Sequence, residues 1–587
     1  MSSVTASTLF ATRLMLDFVA RGLTDVVLCP GSRSQALALA AMELEKQGVL
    51  RVHVRVDERA AGFLALGLGM ESGRPAAIVT TSGTAVANLY PAVLEAHHSG
   101  QPMIVLTADR PEELRGIGSN QTTVQTDFFS HAVRFSRDVD APTFDDPALA
   151  ASALAGQAWS AAVAEWARGP VHLNLAFRDP LSGGNPWEIE DVQIALEDVK
   201  ARRLHESPDE QRAATRAAEH EQRSGSEGAS VVLARGPKTV VIAGTGAGPQ
   251  AEQLAFEGGW PLIAEIASGA RFGRNVVPAY REVLRAAELT DQIERIIVFG
   301  HPTLSREVPA LIADSTHGRE TIVVIGSTGE NFNPGHNVTA FVDSVAVGTG
   351  ESDRDWLGAW MRAGHAAHDE ARARYTAQNP SMQAPNIEAS RSSDVDSMRA
   401  FASAELAAAK APVTRELLVD ALWRATWPHD RLLFGASRLV RVADRTLVGK
   451  KVPVFANRGL AGIDGTISTG VGIALASGAL TRVLLGDLAA LHDAGGMLIG
   501  PTESRPRIQV VVGNDGGGTI FDSLEVAATT DTAVIDRAFY TPHGANFEAL
   551  AGAYGWEYVR VATASELERA LTLPAQGPQL VEVVLAR

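Results

Sequence analysis

A chain of 587 residues, 45% of them hydrophobic, has material for roughly three to five domains with large buried cores, which excludes a small stapled module or a low-complexity chain. Its 52 Lys and Arg stand against 68 Asp and Glu, and the net charge of −16 argues against a general binder of nucleic acid or anionic membrane. The single cysteine, Cys29, excludes an internal disulfide and a multi-cysteine zinc site and points to a reducing compartment.

The chain opens on apolar residues at helical spacing, without the basic start or cleavage site of a signal peptide. No apolar run reaches the ~18 residues of a spanning helix, so a soluble, cytoplasmic protein is expected. Short β-branched runs at 24–29, 51–56, 75–80 and 102–107 alternate with helical stretches, the pattern of βαβ units around a parallel sheet. Residues 196–228 are charged and almost free of large apolar side chains, and read as a linker. A second α/β block follows, with strands expected at 239–244, 295–300, 320–326 and 338–343. Residues 351–411 are rich in Ala and charge and read as helix plus linker. A third block has strands expected at 431–435, 452–456, 482–486, 508–514 and 579–587. The fold class expected is thus α/β, with three doubly wound parallel-sheet domains at 1–195, 229–350 and 412–587.

Ligands of such sheets sit at the carboxyl ends of the strands, where the unusual residues lie. Asp487 and Asn514 each follow a predicted strand of the third block, one helical crossover apart. With the Gly516 carbonyl they make a hard oxygen site suited to Mg²⁺, and the Gly516–Gly518 run lets backbone N–H groups approach a diphosphate. The bland alternative is a helix-capping Asp487 and a glycine turn. Glu58 falls where a strand passes into a helix, which by itself suits an ordinary first-turn glutamate. Arg33, Arg110, Arg441 and Arg458 all follow predicted strands in an acidic protein, a placement suited to a substrate with several carboxylates.

The Asp487–Gly518 arrangement resembles the metal–diphosphate motif of thiamine-diphosphate enzymes, departing from it at Leu488 and Asp515. Further matches are PGSRS at 30–34, DER at 57–59, TSGTAVANLYPA at 81–92, LTADRP at 106–111, NQ at 120–121, NRGLAGIDG at 457–465 and GDLAALHD at 486–493. Together they resemble the family of 2-succinyl-5-enolpyruvyl-6-hydroxy-3-cyclohexene-1-carboxylate synthases of menaquinone biosynthesis. In the middle block only the stretch around Arg306 is similar.

The resemblance implies a pyrimidine-binding domain at 1–195, a central domain at 229–350 and a diphosphate- and metal-binding domain at 412–587. It implies decarboxylation of 2-oxoglutarate and Stetter-like addition of the succinyl unit to isochorismate, with release of CO₂. Glu58 then activates thiamine diphosphate, and Asp487, Asn514 and Gly516 hold Mg²⁺ or Mn²⁺. Ile463 supports the bent cofactor, and Ser82, Gly83 and Thr84 face its aminopyrimidine end from the partner subunit. Ser437 and Arg441 match positions that hold the distal carboxylate of the succinyl unit. Ser32, Arg33, Arg110, Asn120, Gln121, Arg306 and Arg458 match the isochorismate site, with Ile520, Phe521 and Leu524 as an apolar wall. A homodimer with shared active sites is implied, and by resemblance alone a homotetramer.

No histidine is needed in this scheme; His97, His98 and His492 read as structural. The middle block's Gly244-Thr245-Gly246-Ala247-Gly248 lacks dinucleotide spacing, and Glu265 is the nearest candidate for a ribose-binding acid. Rival readings are another thiamine-diphosphate enzyme, such as an acetolactate-synthase-like or oxo-acid decarboxylase, a flavin or nicotinamide oxidoreductase built on the middle block, and a non-catalytic binding protein on the same fold.

Overall fold

The computed structural model describes residues 4–145, 147–164, 167–204, 230–325, 331–380, 394–573 and 575–587. Its first sheet has six strands: β1 (Asp25–Leu28), β2 (Arg51–Val54), β3 (Ala76–Thr80), β4 (Met103–Asp109), β5 (Phe135–Val139) and β6 (Pro170–Ala176). They lie in the order β2-β1-β3-β4-β6-β5, every pair parallel. β3, β4 and β6 are buried along their whole length, as expected of strands covered by helices on both faces. The apolar N-terminal segment forms the helix Ala6–Ala20, which packs on one face.

The middle block pairs β7 (Ser230–Leu233) with β13 (Ser344–Val347) beside a five-stranded parallel sheet. That sheet holds β8 (Thr239–Ala243), β9 (Leu262–Ala264), β10 (Arg295–Phe299), β11 (Glu320–Val324) and β12 (Ala340–Val342) in the order β12-β11-β10-β8-β9. The last block contains β14 (Arg431–Phe434), β15 (Val454–Ala456), β16 (Thr481–Gly486), β17 (Ile508–Asn514), β18 (Glu557–Val561) and β19 (Gln579–Val584). Its order, β15-β14-β16-β17-β19-β18, repeats that of the first sheet strand for strand. In both, the order reverses between the first and third strands, the crevice where doubly wound sheets take their ligands.

Every strand anticipated from β-branched runs is present, and β5, β6, β7, β9, β13 and β18 are additional. The helix Glu190–Leu204 occupies the start of the charged segment, and the remainder of 196–228 lies outside the described residues. Within 351–411 there are helices at Arg354–Gln378 and Val395–Lys410; residues 381–393 between them lie outside the described set. No helix among the described residues is long and apolar enough to cross a membrane.

The outer blocks meet through the helices Glu58–Ser72 and Thr466–Ser477. A Cβ on Gly67 would lie 2.1 Å from the Thr469 carbonyl oxygen, and one on Gly472 would lie 2.3 Å from that of Leu64. The glycines let two backbones approach to a distance that a side chain forbids. The central block is tied to the last by Asp444, which is fully buried. Its carboxylate accepts from the Ile266 amide at 2.9 Å, the Arg271 guanidinium at 3.2 Å and the Tyr280 hydroxyl at 2.6 Å.

Candidate active site

At the end of β16 the chain turns directly into the helix Asp487–His492, whose first residue is only 2% exposed. Asp487 Oδ1 accepts from the Leu488 amide at 2.7 Å, and Oδ2 accepts from the Gly517 amide at 2.8 Å. The His543 ring nitrogen Nε2 lies 3.1 Å from the same Oδ2. Burial raises the Asp487 pKa and nearby Asp515 adds to the effect, while these hydrogen bonds oppose it. Sequence reasoning had no signal for His543, an isolated residue in an irregular stretch.

Asn514 is the last residue of β17, as the expected strand 508–514 has it, and the Leu585 amide donates to its carbonyl at 2.9 Å. Its amide is oriented from both sides. Nδ2 donates to Glu582 Oε1 at 2.6 Å, and Oδ1 accepts from the Gly516 amide at 3.1 Å. Gly486 and Gly513 are register partners on β16 and β17, so Asp487 and Asn514 leave adjacent strands at one edge. Gly516 and Gly517 have φ of 76° and 147°, and a Cβ on Gly517 would meet the Tyr540 carbonyl oxygen at 2.4 Å.

One carboxylate, one amide oxygen and a backbone carbonyl fit a hard divalent cation, and the glycine amides leave room for phosphate oxygens. One of the two departures from the usual motif has a local explanation: the Asp515 carboxylate is taken by Arg415 Nη2 and Thr519 Oγ1, each at 2.6 Å, while nothing in the structure explains Leu488.

Glu58 is the first residue of its helix, after the N-cap Asp57, and Asn88 Nδ2 donates to its Oε2 at 3.3 Å. Asn88 ends the short helix Thr84–Asn88, which follows the Ser82–Gly83 turn beyond β3. Ser82 is buried and its hydroxyl donates to the Gln121 carbonyl at 2.9 Å, while Gln121 Nε2 returns a bond to the Ser82 carbonyl at 3.0 Å. Arg110 Nη1 reaches both the Ser82 hydroxyl and the Gln121 carbonyl. Burial depresses the Arg110 pKa, and neighbouring Arg33 depresses it further. Arg33 donates to the Phe177 carbonyl at 3.1 Å. Ser32 and Asn120 lie on the same strand-end loops, with Gln35 Nε2 donating to the Ser32 hydroxyl at 3.2 Å.

A second cationic group forms between the central and last blocks. Ser437 caps the helix Arg438–Thr446, accepting from the Leu439 amide at 3.2 Å. Arg441 lies within that helix rather than on a strand-end loop, because the helix begins immediately after Ser437. It lines a cavity of about 250 Å³ together with Arg281, Arg415, Arg438, Arg445 and Ile520. Four of these arginines have carboxylate partners: Arg281 with Glu307, Arg415 with Asp515, Arg438 with Asp522 and Arg445 with Glu416. Arg441 has none among the described residues, and its Nη1 donates only to the Ser437 carbonyl at 3.0 Å. Burial depresses its pKa, and Arg458 and Arg281 add to the effect. Phe521 stacks edge-on against Phe539, and Leu524 follows one turn on.

Arg458 is 5% exposed and is held by Thr303 of the central block. Ile463, on the same loop, is 39% exposed, as an apolar support for a ligand would be. Arg306 stands apart from the buried arginines. Its side chain is 79% exposed and pairs with Glu525 at 3.6 Å. Apart from Arg306, the polar residues singled out in the sequence gather in three groups: around Ser82 and Arg110, around Arg441 and Arg458, and around Asp487 and Asn514.

Residues 10–131 match the family described as "Thiamine pyrophosphate enzyme, N-terminal TPP binding domain", the class that the two outer sheets and their strand-end residues define. A 2-succinyl-5-enolpyruvyl-6-hydroxy-3-cyclohexene-1-carboxylate synthase of Clavibacter michiganensis subsp. michiganensis is 54% identical over 594 residues, 98% of this chain and 96% of its own. Proteins with the same name from Leifsonia xyli subsp. xyli and Kineococcus radiotolerans are 50% identical over 597 residues and 40% identical over 594. They cover 98% and 99% of this chain, and 96% of their own length in both cases. The chain belongs to this synthase family and is a thiamine-diphosphate-dependent enzyme.

Proposed function

We propose that the enzyme decarboxylates 2-oxoglutarate and adds the succinyl unit to isochorismate by conjugate addition, as a transferase of menaquinone biosynthesis. The observation that carries this reading is the pair Arg441 and Arg458: Arg441 is half-buried with no carboxylate partner among the described residues, and buried Arg458 forms no ion pair there, although the carboxylates of Glu265, Glu95 and Asp444 act on it. Desolvation depresses the pKa of both guanidinium groups, and a polycarboxylate substrate would offset that cost on binding. Thiamine diphosphate, when bound, supplies the electron sink that decarboxylation requires. Glu58 would hydrogen-bond the aminopyrimidine, and Asp487, Asn514 and the Gly516 carbonyl would hold Mg²⁺ or Mn²⁺. Ser82, Gly83 and Thr84 border the aminopyrimidine end, and Ile463 packs beneath the cofactor.

Ser437 and Arg441 hold the distal carboxylate of 2-oxoglutarate. Ser32, Arg33, Arg110, Asn120, Gln121, Arg306 and Arg458 would orient isochorismate, and Ile520, Phe521 and Leu524 would exclude water from the reacting groups. The Ser82–Arg110 group and the Arg441–Arg458 group lie on different blocks, and Glu58 makes no hydrogen bond to the last block among the described residues. This supports an active site completed by a partner subunit, in a homodimer at least and a homotetramer as the larger assembly. The outer blocks serve as pyrimidine-binding and diphosphate-binding domains around a central one. The single, buried Cys29 suits the cytoplasm.

Arg441→Ala tests the reading. Removing one partner of a buried charged pair costs about 2–5 kcal/mol, so kcat/KM for 2-oxoglutarate falls at least about 30-fold while calorimetric affinity for thiamine diphosphate holds. Normal kinetics with 2-oxoglutarate would remove the succinyl-carboxylate role.

A further inference from the structure

Arg458 stands two residues beyond β15, at the junction of all three blocks. Its guanidinium makes three hydrogen bonds to one residue of the central block. Nε and Nη2 donate to Thr303 Oγ1 at 3.0 and 2.8 Å, and Nη2 donates to the Thr303 carbonyl at 3.0 Å. The remaining nitrogen, Nη1, is buried and has no hydrogen-bond partner among the described residues. Such a donor is costly unless a ligand meets it.

Thr303 is itself held in place. Glu265, at the end of β9 and fully buried, accepts from the Thr303 amide at 3.1 Å and from the Leu304 amide at 2.7 Å. Each carboxylate oxygen thus accepts from one amide of this turn. A Cβ on Gly244 would lie 2.1 Å from Pro302 N, so the glycine loop beyond β8 backs the same turn. On the other side, Glu95 of the helix Tyr90–Ser99 accepts from the Gly459 and Leu460 amides at 2.7 and 2.8 Å, fixing the backbone just after Arg458.

We propose that Glu265 is a positioning residue for substrate recognition: by clamping the Thr303–Leu304 turn it aims Arg458 Nη1 at a carboxylate of isochorismate. The inference rests on the reading that Arg458 binds that substrate. A carboxylate suits the task because it offers an acceptor to each of two adjacent amides. A glutamine offers one acceptor and turns an NH₂ toward the second amide, which displaces the turn and with it the guanidinium. A displacement of about 1 Å in an orienting group costs up to about 100-fold in rate.

The test compares Glu265→Gln, Thr303→Val, Thr303→Ser and Arg458→Ala in the intact enzyme loaded with thiamine diphosphate and Mg²⁺. Glu265→Gln and Thr303→Val each raise the KM for isochorismate about tenfold. The KM for 2-oxoglutarate and the calorimetric affinity for thiamine diphosphate stay within about twofold, and Thr303→Ser restores the isochorismate KM. Adding Glu265→Gln to Arg458→Ala raises that KM no further, because the group it positions is gone.

If Glu265→Gln leaves the isochorismate KM unchanged while Arg458→Ala raises it, the positioning role is wrong and the Arg458 reading stands. Equal loss toward both substrates also overturns the positioning role. If Arg458→Ala itself leaves the isochorismate KM unchanged, the underlying reading fails and the inference fails with it. Should Glu265→Gln not fold, as judged by its thermal melt, Glu265→Asp is scored by the same criteria.

Discussion

Glu95 joins the first block to the loop that carries Arg458 and Ile463, and it does so as a buried carboxyl group. Burial pushes its pKa up to about 7, from 4.5 in the unfolded chain, although two backbone amides and Arg458 act in the opposite direction. Between those values the folded protein holds the proton more tightly than the unfolded chain does. Stability therefore falls as pH rises from 4.5 to about 7, by an amount of order 3 kcal/mol for this group. Asp493, raised to about 6 by burial, contributes with the same sign. His172, lowered to about 4 by burial, contributes with the opposite sign. Thermal melts of Glu95→Gln and the wild type at about pH 5 and about pH 7.5 isolate the Glu95 share. The wild type loses more stability than the variant over that interval, and equal losses would refute the assignment.

The residues legible in the sequence are those that a strand end delivers directly. Glu58, Ser82, Arg110 and Asp487 each follow a β-branched run by a few positions, and the fold places them at sheet edges. Thr303 and Glu265 also follow strands, β10 and β9, but Arg281, Arg415 and His543 carry no such local mark. Their roles come from contacts between chain-distant elements, which periodicity does not encode.

Among the elements, the contact between the helices Glu58–Ser72 and Thr466–Ser477 is the most demanding. Gly472→Ala places a Cβ 2.3 Å from the Leu64 carbonyl oxygen and forces the helices apart. Overpacking of this kind costs about 1–3 kcal/mol. Gly552→Ala is the control, because Gly552 lies inside the helix Phe547–Ala553 with open space around it. There alanine stabilises by about 0.5–1 kcal/mol through backbone entropy. Melting temperatures that move in opposite directions support the close approach, and two shifts of the same sign would count against it.

The strands missed in the sequence are informative in the same terms. β6 is fully buried, yet His172 and Asn174 interrupt its apolar run, because both bond to the Thr107 hydroxyl on β4, at 2.8 and 2.9 Å. Strands β5 and β18 are sheet edges with exposed charged residues, so they lack the signature of a covered strand. Apart from β6, the interior strands of the three large sheets, β1, β3, β4, β8, β10, β11, β14, β16, β17 and β19, are legible, since burial on both faces favours continuous apolar runs.

At the scale of the molecule, one six-strand topology occurs twice, with Glu58, the proposed cofactor activator, on the first copy and Asp487 and Asn514, the proposed cation ligands, on the second. If the active site pairs the first copy of one subunit with the second copy of another, two defective chains complement each other. Glu58→Gln and Asp487→Ala are each expected to be inactive alone. Random mixed dimers place both lesions in one site and leave the other intact, so about a quarter of wild-type activity returns. A mixture that stays inactive would place the whole site within one chain.

The most direct test of the account is isochorismate consumption by the purified enzyme with 2-oxoglutarate, thiamine diphosphate and Mg²⁺, omitting each addition in turn. The account predicts consumption that requires all three, with one CO₂ released per isochorismate lost. Consumption without 2-oxoglutarate, or CO₂ release from another 2-oxo acid with isochorismate untouched, would contradict it.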